Sequence, residues 1–106
     1  MVKEYFKEIQ GLSFYETEYG FVAYKIEDDN LHIRHIYVKP EARAMKVATM
    51  MADQLVAAAK EEGCTTMTAD VEPSNSNVTD STKFILSYGL RIIEASEDEI
   101  FFMKEI

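Results

Sequence analysis

Between Pro40 and Glu62 the chain contains no glycine and draws mostly on Ala, Met, Leu, Lys and Glu, all good helix formers. Pro40 suits the first turn of a helix, where its missing N–H is not needed. Gly63 is a sound terminator at the other end. Val47, Met51, Leu55 and Ala58, with Ala48, Ala52 and Ala59 beside them, form one apolar stripe, and Lys46, Asp53, Lys60 and Glu61 fall on the wetter side. A long, single-faced helix between strand-like segments limits the available folds, because it must cross over a sheet and bury its stripe there.

The flanking segments supply that sheet. "LSFYETE" alternates from Leu12 to Glu18 and stops at Gly20. "FVAYKIE" spans Phe21 to Glu27, and "LHIRHIYV" spans Leu31 to Val38 after the turn Asp28-Asp29-Asn30. In this third run, simple alternation puts Leu31, Ile33, His35 and Tyr37 on one face and His32, Arg34, Ile36 and Val38 on the other. After the helix, "TTMTADV" sets Met67, Ala69 and Val71 against Thr66, Thr68 and Asp70. The polar segment from Pro73 to Asn77 breaks the pattern. Thr79 or Asp80 can then cap a second helix carrying Phe84, Ile85 and Tyr88 and ending at Gly89. Two last strands, "LRIIEA" and "EIFFMKE", flank the turn Ser96-Glu97-Asp98. Residues 2–9 place Tyr5, Phe6 and Ile9 at helical spacing, as a short helix or an arm. The order β-β-β-α-β-α-β-β, with hairpins and one β-α-β crossover, predicts an α+β (α/β sandwich) fold on a mixed, mostly antiparallel sheet.

At 106 residues, 47% of them hydrophobic, the chain reads as a single globular domain over residues 1–106. A formal charge of −8 argues against non-specific binding to nucleic acid or an anionic membrane. No apolar run approaches a membrane span, and no charged-then-apolar signal segment is present. Cys64 is the only cysteine, so no intrachain disulfide can form, and a reducing, cytoplasmic setting is expected. Its place after Gly63 suits a small buried hydrophobe better than a nucleophile. Two histidines without clustered cysteines or carboxylates give no metal site. Met45, Met50 and Met51 read as core filler.

The chemistry is concentrated in "VKPEARAMKVATMM", from Val38 to Met51. A helix N-terminus leaves backbone N–H groups without partners at the positive end of the dipole, so it can hold a phosphate. Arg43 in the first turn and Lys46 one turn on can add positive charge there, or can equally be solvated surface cations. Asp70, Glu72, Asn75 and Asn77 cluster after the fourth strand, either lining a site or simply forming a turn.

The order of elements and the run "IYVKPEARAMKVATMM" resemble the GNAT superfamily of acyl-CoA N-acyltransferases. There a strand ending in V-x-P leads into an Arg/Gln-x-x-Gly-x-Gly/Ala turn that binds the coenzyme A pyrophosphate. Val38, Pro40, Arg43 and Ala48 match that motif, and Gly89-Leu90 echoes the family's later helix end. The resemblance covers about residues 12–106. Lys46 stands at the motif's middle glycine, where it either grips a phosphate or fills the site. Ile85 stands where many members carry a tyrosine that protonates the leaving thiolate. The family's amino-terminal strand and helix pair are mostly missing.

The resemblance implies an acetyl-CoA-dependent N-acetyltransferase with acetyl-CoA as acyl donor, no metal, and a small-molecule or peptide amine as acceptor. It implies coenzyme contacts from Ile36, Tyr37, Val38, Arg43, Ala44, Met45, Lys46, Val47, Ala48 and Thr49. The Val38 N–H would polarise the thioester carbonyl, and the Ile36 main chain would pair with the pantetheine arm. His32 is the expected base, with His35 as the alternate. The rival expectation is an inactive GNAT-fold module that binds a protein partner, or coenzyme A without turnover. A homodimer is expected through apolar surface at Phe14, Phe21 and Tyr24.

Overall fold

The computed structural model describes residues 11–43, 45–76 and 78–106, so the helix or arm read at residues 2–9, with Ala44 and Asn77, lies outside the described residues. Strands β1 (Ser13–Thr17), β2 (Gly20–Glu27), β3 (Asn30–Val38), β4 (Thr66–Val71), β5 (Arg91–Ala95) and β6 (Ile100–Glu105) form one sheet in the order β1-β2-β3-β4-β6-β5. Every neighbouring pair is antiparallel except β3 and β4. Helix α1 (Val47–Glu61) makes the crossover between those two, and α2 (Val78–Ser87) links β4 to β5. The α+β class and the order β-β-β-α-β-α-β-β are those expected from alternation and helix periodicity.

Both helices share one core. Val22, Leu31, Ile33, Met67, Ala69 and Phe102 from the sheet pack with Val47, Met51, Leu55 and Ala59 from α1 and Ile85 from α2. The buried stripe of α1 repeats every four residues, so Ala59 takes the place expected for Ala58, which is exposed. Of the three methionines read as core filler, Met51 is fully buried, whereas Met45 and Met50 are 65% and 44% exposed. The Tyr88 hydroxyl donates to Asp53 Oδ1 at 2.6 Å and ties α2 to α1, while the Tyr15 hydroxyl donates to Gln54 and ties β1 to α1. Cys64 is buried, and burial, reinforced by Glu62 and Asp29, pushes its thiol up and away from the reactive thiolate.

Two local features depart from the sequence pattern. The expected helix from Pro40 is a 3₁₀ turn, Pro40–Ala42, and α1 begins only at Val47. Between them Lys46, the N-cap of α1, is left-handed with φ 58°. The second feature is a bulge in β3. Tyr24 pairs with Ile33 and Ala23 with His35, so Arg34 is the extra residue. A bulge reverses the alternation beyond it. Ile36 and Val38 therefore join Leu31 and Ile33 against the core, while His35 and Tyr37 turn to the face away from the helices. His32 thus lies opposite Ile36 and Val38, not beside them as simple alternation predicted. On the face away from the helices Phe21 packs between Phe14 and Tyr37, with ring centroids 6.0 and 5.8 Å apart. Tyr24, expected with Phe14 and Phe21, packs against the core on the helix side.

Candidate active site

β3 and β4 pair only from Asn30 opposite Thr66 to Ile33 opposite Ala69. Beyond that point β4 follows β6 as far as Val71 opposite Ile100, while β3 follows β2 as far as Val38 opposite Gly20. The bulge at Arg34 sits where the two strands part, so the sheet opens into a V. The Lys39 N–H donates to the Tyr19 carbonyl at 2.7 Å, on the β2 side. Alternation then turns the main-chain groups of Val38 and Ile36 to the opposite edge, into the V. Gly20 lets β2 and β3 approach this closely, since a Cβ there would stand 1.9 Å from the Tyr37 carbonyl oxygen.

A groove of about 650 Å³ fills the V on the helix side. Its wall includes Ile36, Tyr37, Val38, Arg43, Lys46, Ala48 and Thr49 from the sequence-predicted set. Two members of that set stand apart from it: the Val47 side chain is buried beneath α1, and Met45 points to solvent. Ala44 lies outside the described residues. Besides Ile85, which the resemblance had singled out, α2 contributes Asp80, Ser81 and Phe84 to the wall, which sequence reasoning missed. The spacing of one and four residues marks a single helix stripe, which was the available signal. Phe84 faces the groove beside Ile85.

The β3–α1 side of the groove carries Arg43 and Lys46, while Asp70, Glu72 and Asp80 line other parts of its wall. α1 starts without a side-chain cap, so the N–H groups of its first turn remain available beside Ala48 and Thr49. Arg43 Nε donates to the Val38 carbonyl at 3.0 Å, and its guanidinium carbon lies 5.9 Å from the Tyr37 ring centroid. Lys46 occupies the left-handed position of the turn, a conformation costing a non-glycine residue about 1–2 kcal/mol. Lys46→Gly should therefore leave stability equal or higher, since Gly is also acceptable at an N-cap. If the groove holds acetyl-CoA, as the resemblance implies, the same change should tighten that binding by removing a side chain from the turn. Titration calorimetry and thermal melting of the variant check both; weaker binding at unchanged fold would make Lys46 a phosphate ligand.

Where the strands part, a side-chain network bridges them. The Asn30 amide donates to Thr68 Oγ1 at 2.9 Å; His32 Nδ1 lies 2.7 Å from that same oxygen and Nε2 2.9 Å from Asp70 Oδ1. Arg34 completes it, donating to Asp70 Oδ2 at 3.2 Å. Because the carboxylate only accepts, Nε2 carries the proton, and in the neutral ring Nδ1 accepts from the Thr68 hydroxyl. The Asp70 side chain is only 6% exposed. Burial alone would raise its pKa, but the His32 hydrogen bond and the charges of Arg34 and the two histidines outweigh it and hold the carboxyl below the usual range. A depressed folded pKa gives stability that is complete above the ordinary value of 3.8 and is lost as pH falls through the folded one. Asp70→Asn should cost about 1–3 kcal/mol at neutral pH. Urea unfolding of both proteins should converge as pH drops below 3.8.

A second cavity of about 670 Å³ opens with Leu12, Lys25, Glu27, Asn30 and His32 on its wall. Arg34, His35 and Glu72 line both cavities, so they stand at the junction between them. His35 is exposed and has no hydrogen-bond partner among the described residues. Of the cluster read after β4, Asp70 is held in the network, Glu72 reaches both cavities and Asn75 lines the groove.

The sequence profile of the acetyltransferase (GNAT) family matches residues 14–80. The chain belongs to the GNAT family. Solved GNAT-fold structures agree with it in fold. A PaiA N-acetyltransferase from Thermoplasma acidophilum, solved with coenzyme A, superposes with TM-score 0.73 at 19% identity, over 83% of this chain and 54% of its own. An acetyltransferase from Bacillus cereus gives 0.72 at 20%, over 90% and 71%. The ribosomal-protein-S18-alanine N-acetyltransferase from Escherichia coli gives 0.72 at 17%, over 97% and 76%. The chain thus spans about half the length of the Thermoplasma enzyme. No curated protein sequence matches.

GNAT membership gives meaning to Ile85 of α2 and to Tyr88, just past its end. Ile85, which the resemblance sets at a position many members give to a tyrosine, is buried and lines the groove. Tyr88, one turn on, offers no substitute: burial first, and then its bond to Asp53, push the phenol well above its ordinary value. No group of His, Cys, Asp and Glu able to hold a metal ion occurs among the described residues, and no helix there is long and apolar enough to cross a membrane.

Proposed function

We propose that this GNAT chain is an acetyl-CoA-dependent N-acetyltransferase acting on the amine of a small molecule or peptide, in a cytoplasmic setting. The observation that carries the reading is the V between β3 and β4. The main-chain edge of Ile36 and Val38 lines a single groove, and the uncapped α1 N-terminus with Arg43 and Lys46 lines it alongside, Arg43 bonding the Val38 carbonyl. Peptide-like edges suit an amide-bearing arm, and N–H groups with cations suit a pyrophosphate. Those two chemistries side by side in one groove fit an acyl-CoA donor.

In this reading the acceptor nitrogen attacks the thioester carbonyl carbon while the Val38 N–H stabilises the developing oxyanion. The carbon–sulfur bond breaks, and the acetyl group leaves on nitrogen as an amide. The nitrogen's proton goes to a base at the junction of the two cavities. His32 was the first expectation for that base, but both its ring nitrogens are engaged with Thr68 and Asp70. His35, at the junction with its ring unengaged among the described residues, takes the role. His32 instead holds Asp70, which orients Arg34 at the parting of the strands. The departing thiolate takes its proton from water in the open groove, since Ile85 offers none and the Tyr88 phenol is tied to Asp53.

Ile85 also favours a second reading, a coenzyme A-binding module without turnover. Calorimetry with acetyl-CoA, followed by a thiol-release assay over a panel of amines, separates the two. Binding with thiol release supports the transferase, and binding without it supports the module. If acetyl-CoA fails to bind at millimolar concentration, both fall and a protein-binding role remains.

A further inference from the structure

β5 closes one edge of the sheet, and all five of its residues are exposed. Ile92 and Ile93 are 54% and 52% exposed, on an edge strand of the kind proteins usually blunt with charge or proline. The charges of β5 are arranged symmetrically instead. The strand reads Arg91-Ile92-Ile93-Glu94, and an antiparallel copy about a two-fold axis would set Arg91 opposite Glu94 of the partner subunit. In a regular strand this match would fail, because residues three apart point to opposite faces. A bulge removes the obstacle. Arg91 pairs with Met103 and Glu94 with Phe101, alternate residues of β6, so Arg91 and Glu94 share the face away from the helices. Neither has an ion-pair partner among the described residues. Between them sit the two exposed isoleucines, one of them the extra residue of the bulge.

We propose that β5 pairs antiparallel with β5 of a second copy of this chain, making one sheet continuous across a two-fold dimer. Main-chain hydrogen bonds along the outer edge of β5 supply the attraction, and the isoleucine pairs cover one another at the axis. Two symmetry-related Arg91–Glu94 pairs set the register. This surface lies at the opposite edge of the sheet from β1, where the sequence had suggested Phe14, Phe21 and Tyr24. There Phe21 stacks on Tyr37 and meets Phe14 at a tilt, and Tyr24 packs against the core. An edge of five residues buries less than the roughly 1,000 Å² of a standing interface, so the dimer is concentration-dependent. The proposal does not depend on catalysis.

Sedimentation equilibrium over the micromolar range tests it with three variants at exposed positions, their fold checked by circular dichroism. R91E and E94R each place like charges opposite one another twice per dimer and should weaken association by about tenfold. The double variant R91E/E94R exchanges the charges and should restore it. R91E raises the net negative charge of the chain and E94R lowers it, so weakening by both excludes general repulsion as the cause. A wild-type protein that stays monomeric through the range overturns the proposal. So do single variants that associate like wild type, or a folded double variant that does not recover.

Discussion

His35→Gln is expected to reduce turnover by about 10²- to 10⁴-fold, the usual contribution of a positioned base, while leaving acetyl-CoA affinity unchanged. The side chain is exposed and has no hydrogen-bond partner among the described residues, so its replacement should not disturb the fold. Gln keeps the polarity and approximate size but cannot act as a base. The loss should therefore fall on kcat, with little change in KM for either substrate. His32→Gln provides the contrast. It breaks the bonds to Thr68 and Asp70 and should lower stability and shift kcat and KM together. If His35→Gln keeps wild-type turnover while a folded His32→Gln loses it, the base is His32.

The two histidines also show which parts of this molecule can be read from its sequence. Strand alternation and helix periodicity are local, and every strand and both helices could be placed from them, apart from the start of α1, which falls at Val47 rather than Pro40. The bulge at Arg34 was hidden, because an extra residue is defined only by the strand opposite it. Missing it put Ile36 and Val38 on the same face as His32, and His35 and Tyr37 on the same face as Leu31 and Ile33. The His32–Asp70 bond was hidden for a related reason. It joins residues far apart in sequence that meet only once β3 and β4 pair in parallel.

The turn after β3 was more legible. Its Val38, Pro40, Arg43 and Ala48 spacing singled out a segment that the fold sets along a groove, and Lys46 was visible as a departure from the motif's glycine. The physical cost of that departure, a left-handed backbone, appears only in the fold. The α2 wall carried a helical stripe, but nothing local could say that the stripe faces a groove as well as the core.

Arg43→Glu should weaken acetyl-CoA binding by about 1–3 kcal/mol, or roughly 5- to 150-fold, as expected for losing a charge-assisted contact. The side chain is already held in the groove by its bond to the Val38 carbonyl and its position against the Tyr37 ring, so little entropy remains to be lost on binding. Glu removes that positive charge and presents a negative one to the pyrophosphate. It also frees the Val38 carbonyl, which could disturb the strand end that carries the Val38 N–H. Comparing coenzyme A with pantetheine separates the two effects, since pantetheine has the amide arm but no pyrophosphate. Loss of affinity for coenzyme A alone, diminished at high salt, assigns Arg43 to the phosphates. Equal loss for both ligands would mean that Arg43 acts through Val38 instead, as the latch that keeps β3 turned into the V.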